Sequence, residues 1–185
     1  GHLKAVGTIG VSVGGVVNVT LANSSASDIT VLETTGGTIS ASPANFVLTN
    51  PGYPYAQFSI VGNKVILNTG SFNLTWTGAS LNGMWDIVSP GNGTAGGTPM
   101  VFSNGSGVTF GNTAVDGNVH IASLVQPSSI TFDNDSAHNY VLTDDGGGSV
   151  SGTTLTKNGN GTAVINVPLS LSVGIALNAG NLEIR

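Results

Sequence analysis

From about Trp76 onward, short runs rich in Val, Ile, Thr and aromatic residues return at roughly ten-residue intervals. They lie at 108–110, 119–122, 129–132, 140–143, 149–151, 155–157, 163–167, 174–177 and 182–184. Between them stand "GNT", "DG", "DND", "DDGGG", "NGNG" and "NAGN". Strands this short do not hold a free-standing sheet. They gain partners if each stacks on its counterpart one coil away, so that columns of short parallel strands enclose one continuous apolar core. Two or three strands per coil at this spacing predict coils of roughly 20–30 residues. The pattern therefore predicts an all-β chain built as a right-handed parallel β-helix (solenoid). The alternative with equally even spacing is a β-sandwich of the jelly-roll kind.

Composition agrees with β structure and removes several functions. Val, Ile and Thr make up 52 of the 185 residues, and Gly, Asn, Ser and Thr make up 87. Branched side chains suit a pleated surface, and Gly and Asn supply tight turns. No stretch carries a capped 3.6-residue apolar period, so almost no helix is expected. The net charge is −5 and the only bases are Lys4, Lys64, Lys157 and Arg185. No basic stripe exists for phosphates, so nucleic acid is not an expected partner. No apolar run reaches the length of a membrane span, so no membrane insertion is expected. Cysteine is absent, which leaves stability to the core and the backbone ladders. Scarce Lys and Glu beside abundant Asn, Thr and Gly lean towards a secreted or cell-surface setting.

Residues 1–4, which open Gly-His, read as a tag scar and disordered start. Residues 5–185 read as a single β-helix domain in which 73–185 form the repeat-like coils. Residues 5–72 are either a small sandwich-like unit or irregular first coils. Their clearest local signal is a hairpin: Phe58 and Ile60 alternate up to Gly62-Asn63, and Val65 and Leu67 return.

The chemistry of sites is sparse. Glycan-cleaving β-helices of the lyase type need cations beside a uronate, and the single arginine is Arg185. Hydrolysis needs two carboxylates at a set separation. The candidates, Asp133/Asp135 and Asp144/Asp145, sit in Gly/Asn-rich turns where Asp bonds its own backbone. No enzyme is therefore expected. Asp133 and Asp135 in "DNDS" are oxygen-rich and suit a structural calcium, the one cofactor considered. His120 and His138 lack a metal-binding partner motif. "DDGGGSVSG" lacks the Gly-Lys-Ser/Thr of a phosphate loop and reads as a turn.

Aromatic residues carry the remaining expectation. Sugar rings stack on indole and phenol faces, with neutral side chains reading their hydroxyls. Tyr53 and Tyr55 in "NPGYPYAQ" occupy a Pro/Gly-rich loop and are expected exposed. Trp76, between Thr75 and Thr77, alternates with Leu74 and is expected in the core. Trp85 is either a cap on the solenoid end or a binding platform. The six phenylalanines lack a polar handle and belong mostly to the core.

Residues 155–185, "LTKNGNGTAVINVPLSLSVGIALNAGNLEIR", resemble the autotransporter-associated β-strand repeat, whose usual form reads L-T-K-x-G-x-G-T, an apolar strand, then N-A-G-x-L. Leu155, Thr156, Lys157, Gly159, Gly161, Thr162, Asn178, Ala179, Gly180 and Leu182 occupy its marked positions. Upstream, Trp85-Asp86, "VTF" and "SITFDNDSAHNYVLTDDGGGSVSG" are similar to the segment before that repeat in large surface-sorted bacterial proteins. The usual second Asn-Trp is missing, and Ser106-Gly107 replaces Gly-Asp before "VTF". The resemblance implies a right-handed β-helix outside the cell without catalytic residues. A likeness in architecture and size alone is to carbohydrate-binding module family 89, attached to xylanases. The leading expectation is a non-catalytic carbohydrate-binding module, a monomer within a larger secreted polypeptide, holding a polysaccharide such as xylan. Tyr53, Tyr55 and Trp85 would stack on the sugar, with Asn82, Gln57 and Asp86 beside them. The alternative is a structural passenger or adhesin segment, in which the aromatics would be buried or scattered.

Overall fold

The computed structural model describes residues 3–6, 11–21, 28–49, 53, 55–88 and 91–185, with the side chains of 3–6 left aside. Among these the chain is all-β, and its one helical element is a 3-10 turn at Pro43–Asn45. The first strands are β1 (Leu3–Val6), β2 (Val11–Ser12), β3 (Val17–Val19), β4 (Asp28–Thr35), β5 (Ile39–Ser40) and β6 (Phe46–Leu48). Leu3 and Lys4, expected to lie ahead of the fold, stand in β1. The second three strands lie parallel on the first three: Leu3 faces Leu32, Val11 faces Ile39, and Val17 faces Phe46. The steps are 29, 28 and 29 residues, so this stretch pairs as stacked coils.

A hairpin follows at the predicted place. β7 (Gln57–Val61) and β8 (Lys64–Asn68) turn at Gly62-Asn63, where Gly62 has φ 61°. A two-residue turn of that sense matches the twist of the strands it joins. β8 also runs antiparallel along β4 and brings Val65 onto Leu32. Leu32, Phe46 and Val65 form a first apolar cluster.

The second stack begins with β9 (Asn73–Trp76). Next come β10 (Gly93–Ala95) and β11 (Thr98–Met100), an antiparallel pair around Gly96-Gly97 that extends the sheet past β9. The remaining strands are β12 (Gly107–Phe110), β13 (Asn118–Ile121), β14 (Leu124–Val125), β15 (Ser129–Phe132), β16 (Tyr140–Asp144), β17 (Ser149–Lys157), β18 (Thr162–Asn166), β19 (Leu169–Leu177) and β20 (Asn181–Ile184). All coil-to-coil pairs among β12–β20 are parallel, which excludes the jelly-roll alternative.

The stack has three faces. One carries β9, β12, β15 and the second halves of β17 and β19, in the register Gly107, Ser129, Thr154, Gly174. The steps are 22, 25 and 20 residues. Another carries β13, β16, β18 and β20, in the register Val119, Leu142, Ile165, Ile184, with steps of 23, 23 and 19. The third carries β14 and the first halves of β17 and β19. Together they make a β-solenoid of about three turns. Its coil length falls at the short end of the predicted range.

Strict alternation builds the core. Leu74, Val108, Ile130 and Leu155 share one inner row, while Thr75, Thr109, Thr131 and Thr156 point outward. Each fully buried aliphatic or aromatic side chain contributes roughly 1.5–3 kcal/mol. Predicted runs 149–151 and 155–157 are one strand, because pairing continues round the corner at Gly152.

Candidate functional site

The aromatic residues expected to hold a ligand are withdrawn from the surface. Tyr53 is buried, at 6% exposure, which corrects the reading that a Pro/Gly-rich loop leaves it exposed. Trp85, at 1% exposure, is a core residue and not a platform. Its backbone explains why. Trp85 N–H donates to His120 O (2.9 Å), His120 N–H donates to Gly83 O (2.8 Å), and Met84 bridges His120. Residues 83–85 thus form an extra rung on β13, which aims the indole inward. Tyr55 is half-buried: its hydroxyl accepts from Val101 N–H (3.0 Å) and its ring meets Phe72 edge-on at 5.6 Å. All eleven aromatic residues of the chain are buried or half-buried.

The polar residues grouped with them do not share a site. Gln57 is exposed at the start of β7. Asn82 is exposed, but its Oδ1 accepts from Ser80 Oγ (2.8 Å) and Met84 N–H (3.0 Å), which shapes the turn. Asp86 is half-buried, and its Oδ1 accepts from Val88 N–H (2.8 Å). The cavity beside Trp76, Trp85 and Asp86 measures about 10 Å³ and admits no sugar ring.

What the aromatics form is a column. Phe110 is at its centre, 5.6 Å from Trp76, 5.5 Å from Trp85, 4.9 Å from Phe132 and 5.1 Å from Tyr140. Such pairs add stabilisation beyond the area they bury. Neither indole N–H has a hydrogen-bond partner among the described residues. Both tryptophans therefore serve by volume and packing. Tyr140 Oη donates to Gly111 O at 2.6 Å.

Burial pushes the Tyr140 phenol up to about 12, from an ordinary value of 10.0. The folded chain thus favours the neutral phenol. That contribution is complete below pH 10 and is lost as pH rises through about 12. In Tyr140→Phe the fall in Tm between these pH values is expected to shrink. At neutral pH the variant loses roughly 1 kcal/mol with the hydrogen bond. Thermal melts of both proteins across that range check it; parallel alkaline limbs would refute the assignment.

The acidic turns are occupied by their own backbone. Asp135 Oδ1 meets His138 Nδ1 at 2.7 Å and accepts from Ala137 N–H at 3.0 Å; the His138 contact is the main cause that holds its carboxyl below the usual value. Asp144 Oδ1 accepts from the N–H groups of Gly146, Gly147 and Gly148, the bonds to Gly147 and Gly148 lowering its pKa most. Asp133 is exposed, and its carboxylate works against the effect of burial on the Lys157 ammonium. Among the described residues no three of His, Asp and Glu come together as a metal site.

The residues of the repeat-like motif meet at one corner of the stack. Lys157 is fully buried in the inner row of Phe132 and Leu177, and its Nζ donates to Gly159 O. Desolvation pulls its pKa below the ordinary lysine value. The alternation Leu155, Lys157 contained this placement, but a charged residue was not read as core. A Cβ on Gly180 (φ 70°) would stand 2.4 Å from Gly159 O and 2.8 Å from Lys157 Nζ, so only glycine leaves room there. Asn134 plugs the preceding turn in a similar way, with Nδ2 donating to His138 O (2.7 Å) and Thr162 O (3.2 Å). Asn112, Asn139 and Asn158 each accept a bond from the next coil through Oδ1 (2.7, 2.7 and 2.8 Å). This corner holds coil to coil.

One polar groove of about 300 Å³ opens between successive turns, lined by Asp116, His138, Asn139 and Tyr140 among others. Asp116 Oδ1 is already engaged by Asn118 (2.8 and 2.9 Å). No local pattern marks this groove, because it is formed by turns of two different coils.

Fold and site define a class: a three-sided parallel β-solenoid with its aromatic residues inside and its turns stitched by asparagine. Compared with family models, with curated proteins and with solved structures, the chain matches none.

Proposed function

We propose that this chain is a structural β-solenoid segment of a secreted or surface-displayed bacterial polypeptide, non-catalytic, whose role is to hold its neighbours apart as a stiff spacer. One observation carries the reading: none of the aromatic side chains is exposed, eight being buried and Tyr55, Phe58 and Phe72 half-buried, so no row of exposed rings offers a sugar a stacking surface. The residues that resemble the autotransporter-associated repeat support it too. Lys157, Gly159 and Gly180 act on coil-to-coil packing. Stacked coils that contact only their neighbours make a quasi-linear body suited to spacing.

The test is electrophoresis through gels containing xylan, β-glucan, mannan or pectin. Equal mobility with and without each glycan is expected. Retardation by any of them would overturn the spacer reading.

A second reading, polysaccharide binding through hydrogen bonds alone, is favoured by the polar groove at Asp116, His138 and Asn139. It requires that retardation be seen and that Asp116→Ala with Asn139→Ala abolish it in a variant whose circular dichroism shows it still folded.

A further inference from the structure

Five asparagines of this chain are followed by glycine: Asn82, Asn92, Asn104, Asn158 and Asn160. Such a pair can react with itself, because glycine has no side chain to keep its backbone nitrogen from the asparagine amide carbon. The fold separates the five. Gly105 N–H donates to Gln126 O (2.7 Å), Gly159 N–H to Phe132 O (3.3 Å) and Gly161 N–H to Asn134 O (2.8 Å). Gly93 is paired inside β10, between β9 and β11. Asn92 and Asn104 are also buried, with both ends of their amides hydrogen-bonded. Gly83 differs: it lies outside the strands, and its N–H makes no hydrogen bond among the described residues.

The turn before Gly83 holds the Asn82 amide in one pose. Asn82 is exposed, and its Oδ1 accepts from Ser80 Oγ (2.8 Å), Met84 N–H (3.0 Å) and Asn92 Nδ2 (2.5 Å). The bond from Met84 closes an Asx turn, which folds the side chain back over the Gly83 peptide and sets Cγ beside Gly83 N. Asn82 Nδ2 makes no hydrogen bond among the described residues. Leu81, at φ 60°, is the only non-glycine residue with positive φ among them. Strain of this kind persists where the surroundings over-determine the backbone. Gly83 is itself required, since a Cβ there would stand 2.7 Å from Asn118 O.

These are the parts that acyl transfer needs. Donors converge on the oxygen where negative charge develops, the attacking nitrogen is not engaged elsewhere, and the leaving nitrogen is unheld. We propose that Asn82–Gly83 is a self-modification site, at which the chain forms a succinimide and from it aspartate or isoaspartate. Gly83 N bonds to Asn82 Cγ, the Cγ–Nδ2 bond breaks, and Nδ2 leaves as ammonia with the proton of the Gly83 amide. Water then opens one of the two imide carbonyls. One opening gives aspartate on the original backbone, and the other gives isoaspartate with an extra methylene in the backbone. Either product sets a carboxylate beside the rung at 83–85 that aims Trp85 inward, and isoaspartate also lengthens the chain just before it. The inference rests on the turn and stands whether or not the chain is a spacer.

Peptide mapping by mass spectrometry, with isoaspartate detection, tests it on the full chain aged in warm neutral buffer. In the folded chain Asn82 is expected to convert at least about fivefold faster than each of the other four, the factor one net hydrogen bond represents. In guanidinium chloride, where no fold discriminates, all five are expected to convert at similar rates. Ser80→Ala removes one donor from Asn82 Oδ1. It is expected to slow conversion about fivefold in a variant that circular dichroism shows folded. If that variant does not fold, folded against unfolded wild type decides alone. Asn82 left intact in the folded chain when the unfolded chain has converted overturns the proposal. Equal conversion at Asn92, Asn104, Asn158 or Asn160 in the folded chain overturns it too, as does an unchanged rate in folded Ser80→Ala.

Discussion

Phe110→Ala is expected to cost about 4 kcal/mol, the largest effect of any single truncation in this chain. Phe110 is fully buried and its ring meets four others, those of Trp76, Trp85, Phe132 and Tyr140. Those partners sit on both stacked faces and on the added rung at 83–85, so they cannot all close in on the void together. A solenoid's stability is close to a sum over neighbouring coils. The loss should therefore fall on the coils from β9 to β15, while the last coils melt later. Urea denaturation followed by tryptophan fluorescence reports the damaged region, since both tryptophans touch Phe110. Far-ultraviolet circular dichroism reports the rest. Two separated transitions are expected where wild type shows closer ones. A midpoint change equivalent to less than about 1 kcal/mol would mean that the column is not the core's centre.

Gly159→Ala is expected to cost about 3 kcal/mol with the addition of one methyl group. A Cβ at that position would lie 2.1 Å from Asn134 O and 2.4 Å from Asn134 N, both backbone atoms of the neighbouring coil. Neither side of the contact has a rotamer to change. The coils must separate, and the bond from Gly161 N–H to Asn134 O (2.8 Å) goes with them. Gly111→Ala is the control: nothing lies within 4 Å of its Cβ position. It should be neutral or stabilise by up to about 1 kcal/mol through a less flexible unfolded chain. Melting temperatures of the two variants measure the contrast. Equal costs would show that close approach is not what requires glycine at 159.

These two positions differ in how legible they were. Phe110 was assigned to the core as an aromatic without a polar handle, and the strand found there is one residue longer than predicted. Gly159 belonged to a recognised motif, but the motif's spacing said nothing of what its glycines touch. Only the stacking of "NGNG" on "DND" supplies the reason. The same holds for strands that the sequence analysis missed. Leu124–Val125 and the first half of β19 are too short or too interrupted to show a period alone, and both exist because a neighbouring coil pairs with them. The Gly96-Gly97 hairpin carries a two-residue turn signal that the sequence analysis left unused.

The candidate site was the least legible part. Tyr53, Tyr55 and Trp85 were grouped by composition and by loop context. Loop context does not fix burial in a solenoid, where a turn in one coil is covered by the next. Trp85 is inside because residues 83–85 pair with His120, thirty-five positions further along. The calcium candidates Asp133 and Asp135 fell in the turn predicted for them, and Asp135 is bound to that turn's own groups.

By itself the sequence determined what is local. It placed the turns, the side to which each strand residue points, and the coil length that follows from the spacing of short strands. These rest on the two-residue period of an extended chain and on the conformations that glycine and asparagine favour. The tertiary structure alone decided which side chains reach solvent and which turns meet to form a groove. Those depend on segments tens of residues apart coming to lie on one another, and no local pattern carries that information.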